Sequence, residues 1–326
     1  METKERVLNI LYGKAEPVSG AEIAALLGIS RNSVWKAING LKAQGYGVSA
    51  TSYGYMLENA KDFDAYAIKR HLKRAHCLHI YKKESSSSTV AKALCQEGAA
   101  HGTVVIVESQ TAGRGRMGRS FLSSSENGLY LSVILRPEIS ADKCVCVTAA
   151  AAVAVVNAIE KTSGASAGIK WVNDIYVGDK KCAGILTEAS IDFESGGVQY
   201  VIVGIGVNLC PPKGGFDKEI EEIACGVYEN ECPRGYKARL CAEIVNNLFD
   251  LYDQLEGRAY MAEYKAKSII IGKAVDVYVG ERVVSGVASD IDENANLVVT
   301  DTKGMLHTFN SGEARVRKTN DKRGIV

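Results

Sequence analysis

The chain has 326 residues, of which 46% are hydrophobic and 24% are charged, and its formal net charge is +1. These proportions are ordinary for folded proteins and exclude both a fibrous repeat and a disordered chain. The near-zero charge excludes a protein that binds polyanions over its whole surface, although one locally basic domain is compatible with it. A chain of this length exceeds the usual size of one hydrophobic core, so two or three domains are expected.

The N-terminus and the cysteines indicate the compartment. The N-terminal end carries Lys4, Glu5 and Arg6 and lacks the apolar core expected of a signal peptide, and the apolar run Val145–Ile159 is too short and alanine-rich to span a bilayer. The nine cysteines form no CxxC pair and no Cys/His cluster with zinc spacing, which predicts reduced, mostly buried thiols. We therefore expect a cytoplasmic protein without a membrane partner and without its own metal cluster.

The first 60 residues predict three helices followed by a short hairpin. Ser19 and Glu22 have the spacing of a capping box that starts the second helix, and Gly28 ends that helix. Ser30 is the predicted N-cap of the third helix, and the segment Tyr46–Tyr55 predicts a wing. Two helices separated by a glycine turn indicate a helix-turn-helix.

The third helix has a polar outer face suited to DNA. No acidic residue occurs between Leu27 and Leu57. The candidate DNA-binding residues on this face are Arg31, Asn32, Ser33 and Lys36. A recognition helix needs such cations and hydrogen-bonding groups to contact phosphates and base edges. The alternative is a helical bundle used for protein contacts or dimerisation.

The remainder of the chain predicts two further folds. Between about 64 and 268, apolar β-branched runs alternate with helical stretches, which indicates a mixed α/β sheet. The predicted strands are Thr103–Glu108, Leu129–Leu135, Ile169–Val177 and Gln199–Val207, and the predicted helices are Ala141–Lys161 and Tyr236–Leu255. After Ser268, valines separated by glycines and Asp/Asn clusters predict a small β-barrel of about 55 residues.

A loop rich in glycine and arginine follows the first of these strands. Its sequence is GRGRMGR over Gly113–Arg119, and it lacks the GK[ST] ending of common phosphate-binding loops. Three planar cations in one loop are suited to carboxylate and phosphate groups. A reaction that joins an acid to ATP needs such cations, because two anions must be brought together. A solvated surface loop or an RNA-binding loop is the alternative for this segment alone.

Three further motifs place small or charged residues in apolar surroundings. KWVND at Lys170–Asp174 places a lysine on a hydrophobic strand and beside an aromatic residue, where its charge could stabilise developing negative charge. KCAGIL at Lys181–Leu186 follows a tight Gly178-Asp179 turn and allows a close ligand approach at Gly184. GIGVN at Gly204–Asn208 likewise allows a close ligand approach, at the glycines of another strand.

In their order and spacing, these four motifs resemble those of the bifunctional biotin-protein ligase and biotin-operon repressor family, often called BirA. The resemblance covers nearly the whole chain and implies an α/β multidomain fold. Residues 1–63 would form a winged helix-turn-helix domain, residues 64–268 a mixed α/β ligase domain, and residues 269–326 an SH3-like C-terminal β-barrel. Ser88, Phe121, Ser124 and Val172 depart from the residues most common in the family.

The resemblance also implies residue roles. The catalytic residues would be Lys170, Arg114, Arg116 and Asp174. Biotin would contact Ser86, Ser87, Ser88, Gln110, Arg114, Gly115, Arg116, Lys170, Gly184 and Gly204. The nucleotide would contact Arg116, Arg119, Lys170, Asn173 and Asn208.

The implied reaction uses ATP, biotin and Mg²⁺. The biotin carboxylate would attack the α-phosphate of ATP to give biotinyl-5'-AMP and release pyrophosphate, and a lysine of a biotin carrier domain would then accept the biotinyl group. Operator DNA and a ligand-induced second copy of the chain would be the other partners, with adenylate-dependent repression of biotin genes. The loop would be mobile when empty. A lipoate-protein ligase and a non-catalytic ligand-sensing transcription factor are the alternatives.

Overall fold

The computed structural model describes residues 2–12, 14–123, 127–137, 144–192, 194 and 197–317. The chain forms two compact units, Met1–Arg70 and His71–Val326. Its helices are α1 Thr3–Leu11, α2 Gly20–Leu27, α3 Arg31–Ala43, α4 Ala65–Lys69, α5 Ser87–Gln96, α6 Cys144–Ser163, α7 Tyr236–Tyr252 and α8 Tyr260–Ala266. Its strands are β1 Gly47–Thr51, β2 Gly54–Asn59, β3 Leu78–Glu84, β4 Val104–Gln110, β5 Gly128–Leu135, β6 Ala167–Lys170, β7 Asp174–Val177, β8 Lys180–Ile191, β9 Val198–Asn208, β10 Ala274–Val279, β11 Arg282–Ile291, β12 Leu297–Asp301, β13 Leu306–Phe309 and β14 Glu313–Val316.

The first unit confirms the predicted winged helix-turn-helix. The Ser19 hydroxyl accepts a hydrogen bond from the backbone N–H of Glu22 at 3.1 Å, and Ser30 caps α3 in the same way. Gly28 ends α2 with a φ of 64°, a left-handed conformation that favours glycine. Strands β1 and β2 pair antiparallel and form the wing after α3. The local capping signals therefore determine where both helices of the motif begin and where the first of them ends.

The second unit contains a seven-stranded sheet in the order β3-β4-β5-β9-β8-β7-β6. Strands β3 and β4 are parallel, and every other neighbouring pair is antiparallel. The predicted mixed α/β architecture is confirmed. The first connection, from β3 to β4, runs through α5, as parallel pairing requires a crossover.

One predicted strand is wrong. The run Ile169–Val177 forms two antiparallel strands, β6 and β7, joined by a turn at residues 171–173. The buried Trp171 donates a hydrogen bond from its ring nitrogen to the carbonyl of Ala295 at 2.8 Å. The Asn173 amide donates to the carbonyl of Ile185 at 2.8 Å. These bonds replace the ladder pairing of a continuous strand, so Lys170 stands at the end of a strand.

Helix α6 is the buried helix of this unit. The helix that contains the apolar run Val145–Ile159 has 20 residues and is apolar enough to cross a membrane by length and composition alone. Fourteen of its residues are buried within the fold, however, as expected for a core helix. The predicted start at Ala141 lies outside the described residues.

Strands β10–β14 form a separate antiparallel sheet in the order β13-β12-β11-β10-β14. The predicted β-rich C-terminal segment is confirmed. Within residues 274–316, β13 and β14 are the two edges of this sheet and do not pair with each other, so the sheet is open. The predicted closed barrel is therefore not seen.

We predict that acid destabilises the second unit through His76. Its Nδ1 lies 3.1 Å from the Gly102 carbonyl, its ring packs on Phe249 with centroids 4.5 Å apart, and its buried Nε2 has no hydrogen-bond partner among the described residues. Burial lowers the pKa of His76 below 6.5, and the nearby Arg74 lowers it further. The folded state thus favours the neutral ring.

The stabilisation that comes from keeping His76 neutral is fully present above pH 6.5, the ordinary pKa of histidine. It is lost as the pH falls toward the lower pKa that His76 has in the folded state. Urea unfolding between pH 7.5 and 5.5 should therefore show a decrease in stability that is smaller in His76→Asn. The same slope in both proteins would refute the assignment.

Candidate active site

The second unit contains a cavity of about 480 Å³. Its wall includes the C-terminal segment Gly312–Ala314 as well as strands of the seven-stranded sheet. The predicted ligand residues that line it are Ser86, Ser87, Ser88, Gln110, Arg114, Gly115, Arg116, Arg119, Lys170, Asn173, Asp174, Gly184 and Gly204. Asn208 is not among the described lining residues; it pairs with Gly128 at the end of β9. The sequence thus predicted a set of residues that the fold brings together, with one exception.

One end of the cavity is neutral and rich in hydroxyl groups. Ser86 caps α5 by accepting from the backbone N–H of Thr89, and the Ser87 and Ser88 hydroxyls lie 2.9 and 3.2 Å from that of Ser132. These serines are at most 6% exposed. Buried hydroxyls held in a network can orient a neutral polar ring.

Gln110 connects this end to the glycine-rich loop. Its carbonyl oxygen accepts from the backbone N–H of Ser87 at 2.7 Å, and its amide donates to the Ser123 hydroxyl at 2.9 Å. A Cβ on Gly113 would lie 2.3 Å from the Ser123 hydroxyl oxygen, so no larger residue fits beside it. The base of the loop is therefore closely packed against the serine end of the cavity.

The loop has a defined backbone. The backbone N–H of Phe121 donates to the carbonyl of Gly113 at 2.9 Å, and the backbone N–H of Gly115 donates to the carbonyl of Arg119 at 2.7 Å. Met117 at its tip has a φ of 57° and is 65% exposed. These cross-loop bonds hold the arginines on one short hairpin-like segment.

Each of the three arginines has a different partner. Arg114 lies 3.3 Å from a Glu188 carboxylate oxygen, and Arg119 pairs with Glu313 at 2.5 Å. Arg116 donates to the Asn173 side-chain oxygen at 3.1 Å, and burial lowers its pKa. Arg116 is thus the most desolvated of the three, and a desolvated cation interacts strongly with an anionic ligand.

Lys170 is partly buried in the same cavity. Burial lowers its pKa, against the opposing effect of the Asp174 carboxylate. Its ammonium lies 3.4 Å from the Tyr176 hydroxyl and 5.5 Å from the centre of that ring. Desolvation favours a ligand that supplies negative charge.

Sequence reasoning missed Lys181 and Phe121 as cavity residues. Lys181 forms an ion pair with Asp174 at 2.7 Å, so this carboxylate is held by a cation. A Cβ on Gly206 would lie 2.7 Å from the Phe121 ring, which shows that the glycine makes room for the aromatic side chain. The lysine at the start of the quoted KCAGIL motif was the available signal for the first, and no local signal pointed to the second.

The acidic side chains of the cavity wall are already paired. Among the described lining residues these are Asp174, which pairs with Lys181, and Glu313, which pairs with Arg119 and Arg315. Burial alone would raise the pKa of Glu313, but its hydrogen bonds to both arginines outweigh it and lower the pKa. In the described parts of the chain, no group of three or more His, Cys, Asp or Glu side chains could hold a metal ion.

The predicted DNA-binding residues lie on helix α3 of the first unit. Arg31, Asn32 and Lys36 are exposed. Ser33 is only partly exposed, and its hydroxyl lies 2.9 Å from that of the N-cap Ser30. The first three side chains are therefore available to a partner, whereas Ser33 also takes part in the cap.

The family model described as the Biotin/lipoate A/B protein ligase family matches residues 81–208, and one described as an HTH domain matches residues 3–56. The bifunctional ligase/repressor BirA of Bacillus subtilis is 39% identical over 230 residues, which cover 68% of this chain and 70% of that protein. The chain belongs to the BirA family. The BirA of Escherichia coli is 25% identical over 316 residues, or 95% of this chain and 96% of that protein.

The BirA-family chain also has the fold of a solved ligase structure. A biotin protein ligase from Aquifex aeolicus, in complex with biotin and ATP, superposes with a TM-score of 0.61 and 23% identity. The similarity covers 74% of this chain and 99% of that one. At this level of identity it establishes the fold alone.

Proposed function

We propose that this chain is an ATP-dependent biotin-protein ligase that also represses biotin genes as a DNA-binding protein. The observation that carries the ligase proposal is the convergence of Arg114, Arg116 and Lys170 on one cavity that has a neutral hydroxyl-rich end. A cavity of this kind is suited to an uncharged ring with an anionic tail beside a polyphosphate. Membership of the BirA family supports the same reading.

At the neutral end, the serines would bind the ureido ring of biotin. Ser86, Ser87 and Ser88 form the buried N-terminus of α5, where backbone N–H groups and hydroxyls meet. Gln110 would orient this end through its bond to the Ser87 backbone, and Gly184 and Gly204 would give the ring space. Ser132 would support this end of the cavity, because its hydroxyl is hydrogen-bonded to the hydroxyls of Ser87 and Ser88.

At the charged end, cations would offset the repulsion between the biotin carboxylate and ATP. Arg114, Gly115 and Arg116 would hold the carboxylate, and Lys170 would stabilise the charge that develops on the α-phosphate as pyrophosphate leaves. Arg119 and Asn173 would order the loop and the nucleotide. Asn208 lies outside the described cavity lining, and we propose no direct contact for it.

The second step transfers the biotinyl group to a lysine amine of a biotin carrier domain, with AMP as the leaving group. Asp174 would position this amine or organise the site. Lys181, which forms an ion pair with Asp174 and also lines the cavity, would lie beside the reacting phosphate as well. The closed loop would exclude water from the reactive anhydride.

The described cavity has no acidic cluster that fits a protein-held magnesium ion. We therefore propose that Mg²⁺ enters as the counter-ion of the ATP phosphates, which supply its oxygen ligands. Removal of magnesium should weaken ATP binding and leave biotin binding unchanged.

Pyrophosphate exchange tests the first half-reaction. Biotin, and not lipoate or octanoate, should drive exchange of labelled pyrophosphate into ATP. If lipoate alone supported exchange, the chain would be a lipoate-protein ligase, which is the nearest enzymatic alternative, and this proposal would be wrong. Adenylate formation without transfer to a carrier domain would favour a ligand-sensing transcription factor.

We predict that Gly204→Ala selectively impairs biotin binding. The new Cβ would lie 2.6 Å from the Ser88 hydroxyl oxygen and 3.3 Å from the Leu186 carbonyl, so it would displace a serine of the biotin end. One extra methyl-sized group in such a pocket changes affinity roughly tenfold or more. The KM for biotin should rise by that factor while the KM for ATP changes little, and equal changes in both would contradict the placement of biotin.

For the DNA-binding half, we predict that Arg31→Ala and Lys36→Ala weaken operator binding and spare biotin transfer. Each variant loses a cation that is exposed on α3. A hydrogen bond that involves a charged group typically contributes roughly 1.5–3 kcal/mol to the free energy of an interaction. Gel shifts with and without biotin plus ATP measure the first effect, and carrier-domain labelling measures the second. Wild-type protein that fails to bind DNA in both conditions would remove the repressor assignment.

We propose a cytoplasmic protein with a DNA-binding domain over residues 1–63, a ligase domain over 64–268 and an SH3-like domain over 269–326, whose sheet is the open five-stranded one. Adenylate binding would bring two copies together as a homodimer. Sedimentation with and without biotin plus ATP tests this, and an unchanged monomer mass would contradict it.

A further inference from the structure

Helix α3 exposes a tryptophan near the centre of its outer face. Trp35 is 54% exposed, whereas the inward residues of the same helix are buried. An α-helix turns about 100° per residue, so the outward positions share an arc of about 140°. These positions are Arg31, Asn32, Trp35, Lys36 and Asn39. The indole is therefore flanked by the side chains proposed above to contact DNA.

The surroundings of Trp35 favour a nucleic acid over a protein partner. Arg31 and Lys36 flank it on the same face, and the sequence from Leu27 to Leu57 contains no carboxylate. A polyanion complements such a surface. An isolated exposed hydrophobic residue needs no explanation, but this one lies on the face that enters the major groove in a helix-turn-helix protein.

We propose that Trp35 packs against the 5-methyl group of a thymine in the major groove and so selects one T·A pair of the operator. Thymine alone presents an apolar group on that edge, and apolar side chains are the groups that recognise it. Arginine and asparagine on the same face are suited to the hydrogen-bonding edges of guanine and adenine. This inference rests on the DNA binding proposed above and names a specificity determinant within it.

Uracil substitution tests the proposal because uracil is thymine without the methyl group. Wild-type protein with biotin, ATP and magnesium would first select its preferred site from a random double-stranded DNA library. Each thymine of that site would then be replaced singly by uracil. One replacement should weaken wild-type binding roughly fourfold, as expected for one methyl-sized group that is no longer buried. Trp35→Ala should bind the thymine and uracil versions equally.

Two variants serve as controls. Trp35→Phe retains an apolar ring and should retain part of the methyl dependence, and Leu26→Ala, which changes a residue that is 64% exposed on α2, should retain all of it. Thermal unfolding checks the fold of each variant, and Trp35→Gln replaces Trp35→Ala if the latter unfolds. Wild-type protein that binds the selected site but is indifferent to every uracil overturns the inference alone. Protein that selects no DNA overturns DNA binding as well.

Discussion

Lys170→Ala should lower the rate of biotin-dependent pyrophosphate exchange by roughly 100- to 1000-fold, the loss typical when a preorganised group that stabilises developing charge is removed. Lys170 is partly buried, and its pKa is lowered by burial. Its ammonium is therefore poorly compensated until an anionic ligand arrives. Because this charge acts on the transition state, the decrease should appear in kcat more than in either KM.

A matched control separates this effect from a loss of stability. Lys161→Ala removes a lysine that is 60% exposed and pairs with Glu243 at 2.9 Å, a surface interaction worth little. Its exchange rate should equal that of the wild type. Exchange by Lys170→Ala at the wild-type rate, with normal folding, would show that this lysine takes no part in the first step.

Arg116→Ala should release the adenylate intermediate roughly 10- to 100-fold faster, because a charge-assisted contact contributes about 1.5–3 kcal/mol. Among the loop arginines, Arg116 is the one held by a neutral partner, Asn173, at 3.1 Å. The carboxylate partners of Arg114 and Arg119 already compensate their charges. A partly buried guanidinium whose hydrogen-bond partner is neutral has most to gain from an anionic ligand.

The measurement is a chase of labelled adenylate from the enzyme. Arg282→Ala, which removes an exposed arginine from β11, is the control and should not alter the release rate. Asn173→Ala should accelerate release less than Arg116→Ala, because it removes only the anchor of the guanidinium. An unchanged lifetime of the intermediate in Arg116→Ala would refute its role.

Local signals in the sequence predicted the parts of the fold that depend on neighbouring residues. The caps at Ser19 and Ser30 and the left-handed turn at Gly28 are where the sequence placed them. The turn that splits Ile169–Val177 depends instead on the bond from Trp171 to Ala295, 124 residues away in the sequence. No periodicity within the segment could reveal that contact.

In the candidate site, too, local sequence signals predicted some features, and contacts with distant residues determine the others. Glycine-rich spacing and arginine content pointed to the loop, and Lys170 was singled out by its apolar neighbours. The partners of the arginines were not predictable, because Glu188 and Glu313 are 74 and 194 residues distant from Arg114 and Arg119. The expectation of a loop that is mobile when empty stays a prediction, although Glu188, Asn173 and Glu313 give the loop arginines contacts without any ligand.

Intact mass of a biotin carrier domain, incubated with this chain, ATP, magnesium and biotin, tests most directly whether the converging cations drive acyl transfer. Each carrier molecule should gain the mass of one biotinyl group, and omission of ATP or replacement of the enzyme by Lys170→Ala should prevent the gain over the same interval. A carrier that stays unmodified beside folded wild-type chain that binds both biotin and ATP would contradict the account.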